Sequence, residues 1–104
     1  MSDARLEQFK KMTAQFPDAP MAWFSLGKLH LERKEYDSAI QTLETAVRLD
    51  PKYAAALVSL GDAYAGAGRT DQAKQVLTTA RDHALAQQHP SLAEEIDERI
   101  ADLE

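Results

Sequence analysis

A framework of residues recurs along this chain after 34 positions, and this spacing limits the fold more than any other feature of the sequence. Aligning residues 20–53 with residues 54–87 gives ten identities without a gap. The shared positions are Ala22/Ala56, Ser25/Ser59, Leu26/Leu60, Gly27/Gly61, Asp37/Asp71, Ala39/Ala73, Gln41/Gln75, Leu43/Leu77, Thr45/Thr79 and Ala46/Ala80. A period of this length with two helical patterns in it is typical of a solenoid of helical hairpins.

Two glycines, Gly27 and Gly61, occupy the same place in both copies, inside segments whose apolar residues follow helical spacing. Glycine inside a helix costs about 1 kcal/mol relative to alanine, so its recurrence predicts a packing requirement. We expect Gly27 and Ala39 to let two helices approach closely. Trp23 and Leu43 would fill the space beside them.

The framework resembles the tetratricopeptide repeat family. The residues that carry the resemblance are Trp23, Leu26, Gly27, Tyr36, Ala39, Leu43, Ala46, Leu49 and Pro51 in the first copy, and Leu57, Leu60, Gly61, Tyr64, Ala73, Leu77 and Ala80 in the second. His30 departs from the usual aromatic residue, and Leu85 from the closing proline. The resemblance implies an all-α fold and a function in binding other proteins.

We therefore predict one all-α domain, an α-solenoid of about six antiparallel helices. Its parts are a half repeat (1–17), two full repeats (20–53 and 54–87) and an acidic capping helix (91–104). The half repeat carries an apolar stripe, Leu6, Phe9, Met12 and Phe16, behind a helix cap at Ser2 or Asp3. The two full repeats give helices near 20–33, 36–49, 52–65 and 70–86, the last capped by Thr70 or Asp71.

The last segment combines a start signal with an amphipathic pattern. Ser91 and Glu94 after Pro90 have the spacing of a capping box. The apolar stripe that follows consists of Leu92, Ile96, Ile100 and Leu103. We expect this helix to pack on the fourth and fifth helices and to end the stack with a soluble acidic face. An alternative is a regulatory helix that covers the binding groove and is displaced by the ligand.

Charge and composition exclude several classes of function. Residues 1–90 hold eleven acidic and eleven basic side chains, so the net charge of −5 comes from residues 91–104 alone. Without a basic stripe we expect neither nucleic acid nor an anionic membrane as a partner. No cysteine is present, and neither a secretion signal nor a long apolar stretch appears, which favours a cytoplasmic protein.

The first helix of each repeat leaves one face free after packing, which the resemblance places on the concave side. The candidate groove residues on this face are Met21, Phe24, Lys28, Leu31, Val58, Asp62 and Ala65. Several are apolar, which suits a peptide or helix of a partner protein. Alternatively, neighbouring helices of the stack cover Phe24 and Leu31, and these residues then serve packing rather than binding. The paired Lys and Asn by which some family members hold a peptide's terminal carboxylate are absent, so that function does not carry over.

Candidates for chemistry are weak. We expect His30 to be a partly buried packing residue, and His83 and His89 lack a third ligand nearby, so we predict no metal site. No motif indicates a nucleophile, a phosphate loop or a cofactor. The prediction is a non-catalytic interaction module. The alternative is a self-assembling scaffold whose exposed repeat ends form a homodimer.

Overall fold

The computed structural model describes residues 3–104. Six helices follow one another in that range: α1 (Ala4–Gln15), α2 (Pro20–Glu32), α3 (Tyr36–Leu49), α4 (Ala54–Gly66), α5 (Thr70–Ala86) and α6 (Pro90–Asp102). Each helix packs against the next one in the chain, and α2 also touches α4. No strand occurs between residues 3 and 104. The predicted all-α solenoid of six helices is confirmed.

Helix α1 begins behind Asp3, whose Oδ1 accepts a hydrogen bond of 2.9 Å from the amide of Arg5. A short polar side chain in this position satisfies one of the amides that a helix start leaves unpaired. Asp3 is thus one of the two caps that the sequence predicted. The other candidate, Ser2, lies outside the described residues.

The turn after α1 carries an apolar side chain into solvent. The chain leaves the helix at Phe16, whose amide bonds the Met12 carbonyl at 2.8 Å, and Phe16 is 58% exposed. Phe16 was predicted to continue the apolar stripe of α1, but the helix ends at Gln15 and the Phe16 side chain lies in solvent. Trp23 is half-buried and its indole Nε1 donates a 2.8 Å hydrogen bond to the Pro17 carbonyl. Trp23 therefore also fastens α2 to this turn.

The two repeats share one close approach between helices. A Cβ built on Gly27 would lie 2.5 Å from the Leu43 Cγ, and one on Gly61 would lie 2.6 Å from the Leu77 Cγ. Leu43 and Leu77 are fully buried, so neither can move aside into solvent. The packing requirement inferred from the recurring glycines is confirmed at both sites.

Three helices end in the same left-handed turn. Lys34, Gly68 and Gln88 have φ values of 60°, 79° and 62° and follow α2, α4 and α5. In each turn the next amide bonds back to the helix: Glu35 to the His30 carbonyl (2.9 Å), Arg69 to Tyr64 (2.8 Å) and His89 to Ala84 (2.8 Å). This pattern satisfies carbonyls that a helix end leaves free.

After these tight turns, α5 and α6 begin earlier in the sequence than predicted. Arg69 is the residue that precedes α5, and Thr70 is already helical, so the predicted cap at Thr70 or Asp71 was wrong. His89 precedes α6 and Pro90 is its first residue, which places Ser91 inside the first turn. The predicted capping box was therefore also wrong. Its sequence pattern is local, whereas the start of α6 is fixed by the return of the chain from α5.

Helix α4 starts later than predicted. The Asp50 carboxylate accepts a 3.2 Å hydrogen bond from the Lys52 amide and holds a turn around Pro51. The helix then begins at Ala54 rather than at Lys52.

The buried core consists of two clusters, and the second one includes the last helix. Ala93 and Ile96 of α6 are buried together with Leu57 of α4 and with a group of α5 residues, Leu77, Ala80 and Ala84. Helix α6 packs mainly on α5. The sequence placed it on α4 and α5, and its buried residues belong to a cluster that includes residues of both helices.

Candidate functional site

A cavity of about 390 Å³ opens where α2, α4 and α6 face one another, and we call it the α2/α4/α6 groove. Its lining residues come from all three helices: Phe24, Lys28, Leu31, Glu32, Ala55, Val58, Ser59, Asp62, Leu92 and Arg99. The two repeats contribute equivalent positions, since Lys28 and Asp62 are 34 residues apart, as are Phe24 and Val58. The repeat thus places one helical face of each copy along the same groove.

The apolar wall of the groove is held by packing. The ring centroid of Phe24 lies 5.1 Å from that of Tyr53, with the planes tilted by 42°, a favourable arrangement for aromatic rings. Phe24 and Leu31 also pack against the buried core of α3 and α4 while remaining half-buried. Neighbouring helices therefore cover these two residues only in part. Their remaining apolar surface faces the cavity.

The charged side chains of the groove are not equivalent. Asp62 forms an ion pair with Arg99 of α6, and Glu32 lies 3.6 Å from Arg5 of α1. Lys28 has no ion-pair partner within the described range, 3–104. Its ammonium lies 5.8 Å from the centroid of the Phe24 ring, within the range of a cation–π contact. Both acids of the groove are engaged, whereas one cation is available.

A second cavity, of about 290 Å³, lies between α1 and α2, and we call it the α1/α2 cavity. It is lined by Arg5 and Phe9 of α1 and by Phe24, Ser25, Lys28, Leu29 and Glu32 of α2. Phe24, Lys28 and Glu32 line both cavities. These three residues, spaced by one helical turn each, form a ridge between them.

Five of the seven candidate groove residues lie along the groove: Phe24, Lys28, Leu31, Val58 and Asp62. Met21 is 66% exposed and lies outside its lining. Ala65 is half-buried and packs against the core formed by α3 and α4. Sequence reasoning missed the residues that α6 contributes to the lining, Leu92 and Arg99. A signal existed, because Arg99 is the single base of the acidic last segment and lies seven residues, two helical turns, after Leu92.

Helix α6 is a wall of the groove and a part of the core. Ile96 is fully buried and Ala93 is 4% exposed. On the outer side, Arg81 of α5 pairs with Asp97 at 3.2 Å, which raises the pKa of the Arg81 guanidinium. Displacing α6 would uncover apolar side chains of α4 and α5. A regulatory role for this helix therefore stays a hypothesis, and the burial of Ile96 and Ala93 argues against it, because displacing α6 would expose the core.

The histidine at the end of α2 has a structural partner. The His30 Nδ1 lies 3.0 Å from Glu35 Oε1, and this hydrogen bond lowers the pKa of the Glu35 carboxyl below its ordinary value. The side chain of His30 is 14% exposed, as expected for a partly buried packing residue. Between residues 3 and 104, no three His, Asp or Glu side chains come together in a way that could hold a metal ion. None of the helices in that range is long and apolar enough to span a membrane.

The fold and the groove define a repeat protein of stacked helical hairpins. Two models of the tetratricopeptide repeat match the chain, one over residues 30–96 and one over residues 4–54. The chain belongs to the tetratricopeptide repeat family. A TPR repeat-containing protein of Pseudomonas aeruginosa is 35% identical over 82 residues, which cover 75% of this chain and 78% of that protein.

Solved structures show the same fold. The TPR2B domain of yeast Sti1, determined in a complex with pHsp70, superimposes with a TM-score of 0.89 at 18% identity, covering 94% of this chain and 78% of that domain. A protein of Bordetella parapertussis, determined in solution, gives a TM-score of 0.84 at 27% identity over 98% of this chain and 89% of its own.

Proposed function

We propose that this chain is a non-catalytic interaction module that binds a peptide or helix of another protein in the α2/α4/α6 groove. The observation that carries the proposal is a cavity of about 390 Å³ whose half-buried apolar residues lie beside charged ones. Sites of this kind bind by apolar burial and are oriented by a few polar contacts. The complex of the TPR2B domain with pHsp70 is an example of this fold holding a partner.

Affinity capture from a lysate of the source cell tests the proposal with two variants, each of which replaces an apolar residue of α2 by glutamate. Phe24→Glu places a charge in the groove lining, whereas Met21→Glu places it three residues away at a position that is 66% exposed and outside the lining. Circular dichroism establishes that both variants are folded. We expect mass spectrometry to find partners that wild type and Met21→Glu retain and Phe24→Glu loses. Equal retention by both variants would remove the groove as the working surface.

Self-assembly through the repeat ends is the second candidate. Phe16 and Met21 are 58% and 66% exposed and lie on either side of the α1–α2 turn, so apolar area is free at this end of the stack. Burying such area in a homodimer is favourable. Sedimentation over a wide concentration range tests it, with a Phe16→Ser, Met21→Ser double variant as the comparison. A wild-type mass that remains that of the monomer at every concentration would exclude this candidate.

A further inference from the structure

The ridge of Phe24, Lys28 and Glu32 separates two cavities, each of which is lined in part by apolar side chains. On one side, Phe9 and Leu29 line the α1/α2 cavity, and on the other, Leu31, Val58 and Leu92 line the α2/α4/α6 groove. Because the cavities lie on opposite sides of one helix, a ligand that fills both must cross α2. The ligand's middle part then passes over Lys28.

The charges along this path favour an acidic ligand. Asp62 is neutralised by Arg99 and Glu32 lies beside Arg5, so a basic ligand would have to compete with cations that are already in place. Lys28 is exposed and has no ion-pair partner in residues 3–104. The Phe24 ring below the Lys28 ammonium is uncharged and competes only weakly with a carboxylate for it.

We propose that the ridge and its two cavities recognise an extended segment of a partner protein in which one acidic residue has an apolar residue two positions before it and another two positions after it. In an extended chain, residues i, i+2 and i+4 point to the same side, and the outer two are about 13 Å apart. Neighbouring helices are about 8–10 Å apart, so the outer side chains reach the gaps on either side of α2 while the acid meets Lys28. This inference rests on the proposed function and names the class of its ligand.

The test uses three synthetic peptides with acetylated and amidated ends, so that no terminal carboxylate is present. The first contains Leu-Ser-Glu-Ser-Leu between Gly-Ser spacers, and the other two replace Glu by Gln and by Lys. Fluorescence anisotropy measures the Kd of each. We expect the Glu peptide to bind about two- to five-fold more tightly than the Gln peptide, as for an exposed ion pair, and the Lys peptide to bind most weakly. High salt should reduce the difference.

Two lysine variants separate the ridge from general electrostatics. Lys28→Gln should abolish the preference for Glu over Gln, so that this variant binds the two peptides with the same Kd. Lys11→Gln removes the same charge from an exposed position on α1 that lines neither cavity, and it should keep the preference. If Lys28→Gln keeps the preference, or if Lys11→Gln loses it equally, the proposed role of the ridge is wrong.

The remaining outcomes separate this inference from the proposed function. Equal affinity for all three peptides, lost in Phe24→Glu, overturns the acidic preference and leaves the groove as a binding site. Binding that persists in Phe24→Glu overturns both proposals for this surface. Absence of binding to every peptide overturns the ligand class alone, since the capture experiment tests the groove without any assumption about its ligand.

Discussion

Gly27 lies so close to Leu43 that a Cβ at residue 27 would be 2.5 Å from the Leu43 Cγ. Leu43 has no room to yield, because it is fully buried and is part of the core of α3 and α4. The equivalent pair, Gly61 and Leu77, repeats this contact in the next hairpin. The close approach of the two helices in each repeat therefore requires both a missing side chain and a large one facing it.

Gly27→Ala should destabilise the protein by about 1 kcal/mol. Overpacking a core costs about 1–3 kcal/mol, and the better helix propensity of alanine returns about 1 kcal/mol. In a Leu43→Ala background the clash is gone, so the same change should be neutral or stabilising. Urea unfolding of the four proteins of this cycle measures the coupling. Additive effects would show that Leu43 is not the residue that excludes the methyl group. The bulkier change Gly27→Leu should unfold the module.

Lys34→Gly should stabilise the protein by about 0.5–1 kcal/mol. Lys34 has a φ of 60°, a left-handed conformation that costs a residue with a Cβ about 1–2 kcal/mol, whereas Gly68 fills the equivalent turn in the second repeat. The greater freedom of glycine in the unfolded chain offsets part of the gain. Thermal unfolding is the measurement, and Gly68→Lys is the reverse control, with an expected loss. A lower melting temperature for Lys34→Gly would contradict the expectation.

Apolar packing should hold α6 far more strongly than its ion pair does. Ile96 is fully buried, so Ile96→Ala should cost about 2–5 kcal/mol. The Arg99 and Asp62 side chains are 46% and 34% exposed, and a double-mutant cycle with Arg99→Gln and Asp62→Asn should give at most about 1 kcal/mol. Denaturant unfolding compares the two. A coupling energy larger than the cost of Ile96→Ala would reverse this order and would favour α6 as a detachable element.

The stability should fall in alkali because of Tyr64. Burial and a 2.5 Å hydrogen bond to Glu44 raise the pKa of the Tyr64 phenol to about 12, from an ordinary value of 10.0. The folded state thus binds this proton more tightly than the unfolded state does. The resulting contribution is fully present below pH 10.0 and is lost as the pH rises toward about 12, by about 2 kcal/mol.

The alkaline prediction is checked by denaturant unfolding across this pH range. Tyr64→Phe should be less stable than wild type at neutral pH, and the gap should narrow as the pH rises. Tyr36→Phe is a matched control, since Tyr36 is half-buried and the variant leaves the bond between Tyr64 and Glu44 intact. A constant difference between wild type and Tyr64→Phe over the whole range would show that the phenol does not titrate as expected.

The features that follow from a periodic pattern were predictable. Helix α3 has the predicted bounds, 36–49, because the turn before it and Pro51 after it are local signals. The recurrence of Gly27 and Gly61 predicted a close approach between helices, but the sequence paired Gly27 with Ala39, and only the structure places Leu43 and Leu77 against the two glycines. The free face of α2 and α4 was also predictable from helical spacing, and its residues Phe24, Lys28 and Val58 do lie together in the groove.

The features that depend on the path of the backbone between helices were not predictable. Ser91 and Glu94 have the spacing of a capping box, yet the left-handed turn at Gln88 begins α6 at Pro90 and leaves both inside the helix. Phe16 follows the apolar spacing of α1 but falls on the residue where the chain turns into solvent. A local pattern states a preference, and the path of the backbone decides whether it is used.

The sequence by itself determined the repeat, the helices and the face that each repeat directs to one side, because these depend on residue spacing along a single helix or hairpin. Only the tertiary structure decided that α6 closes the groove, that Arg99 engages Asp62 and that Lys28 is left without an ion-pair partner among residues 3–104. These relationships join residues that are far apart in the sequence; Arg99 and Asp62, for example, are 37 positions apart. The physical reason is that an ion pair forms between whichever charges packing brings together, and packing is decided by the burial of Ile96 and Ala93 rather than by the charges themselves.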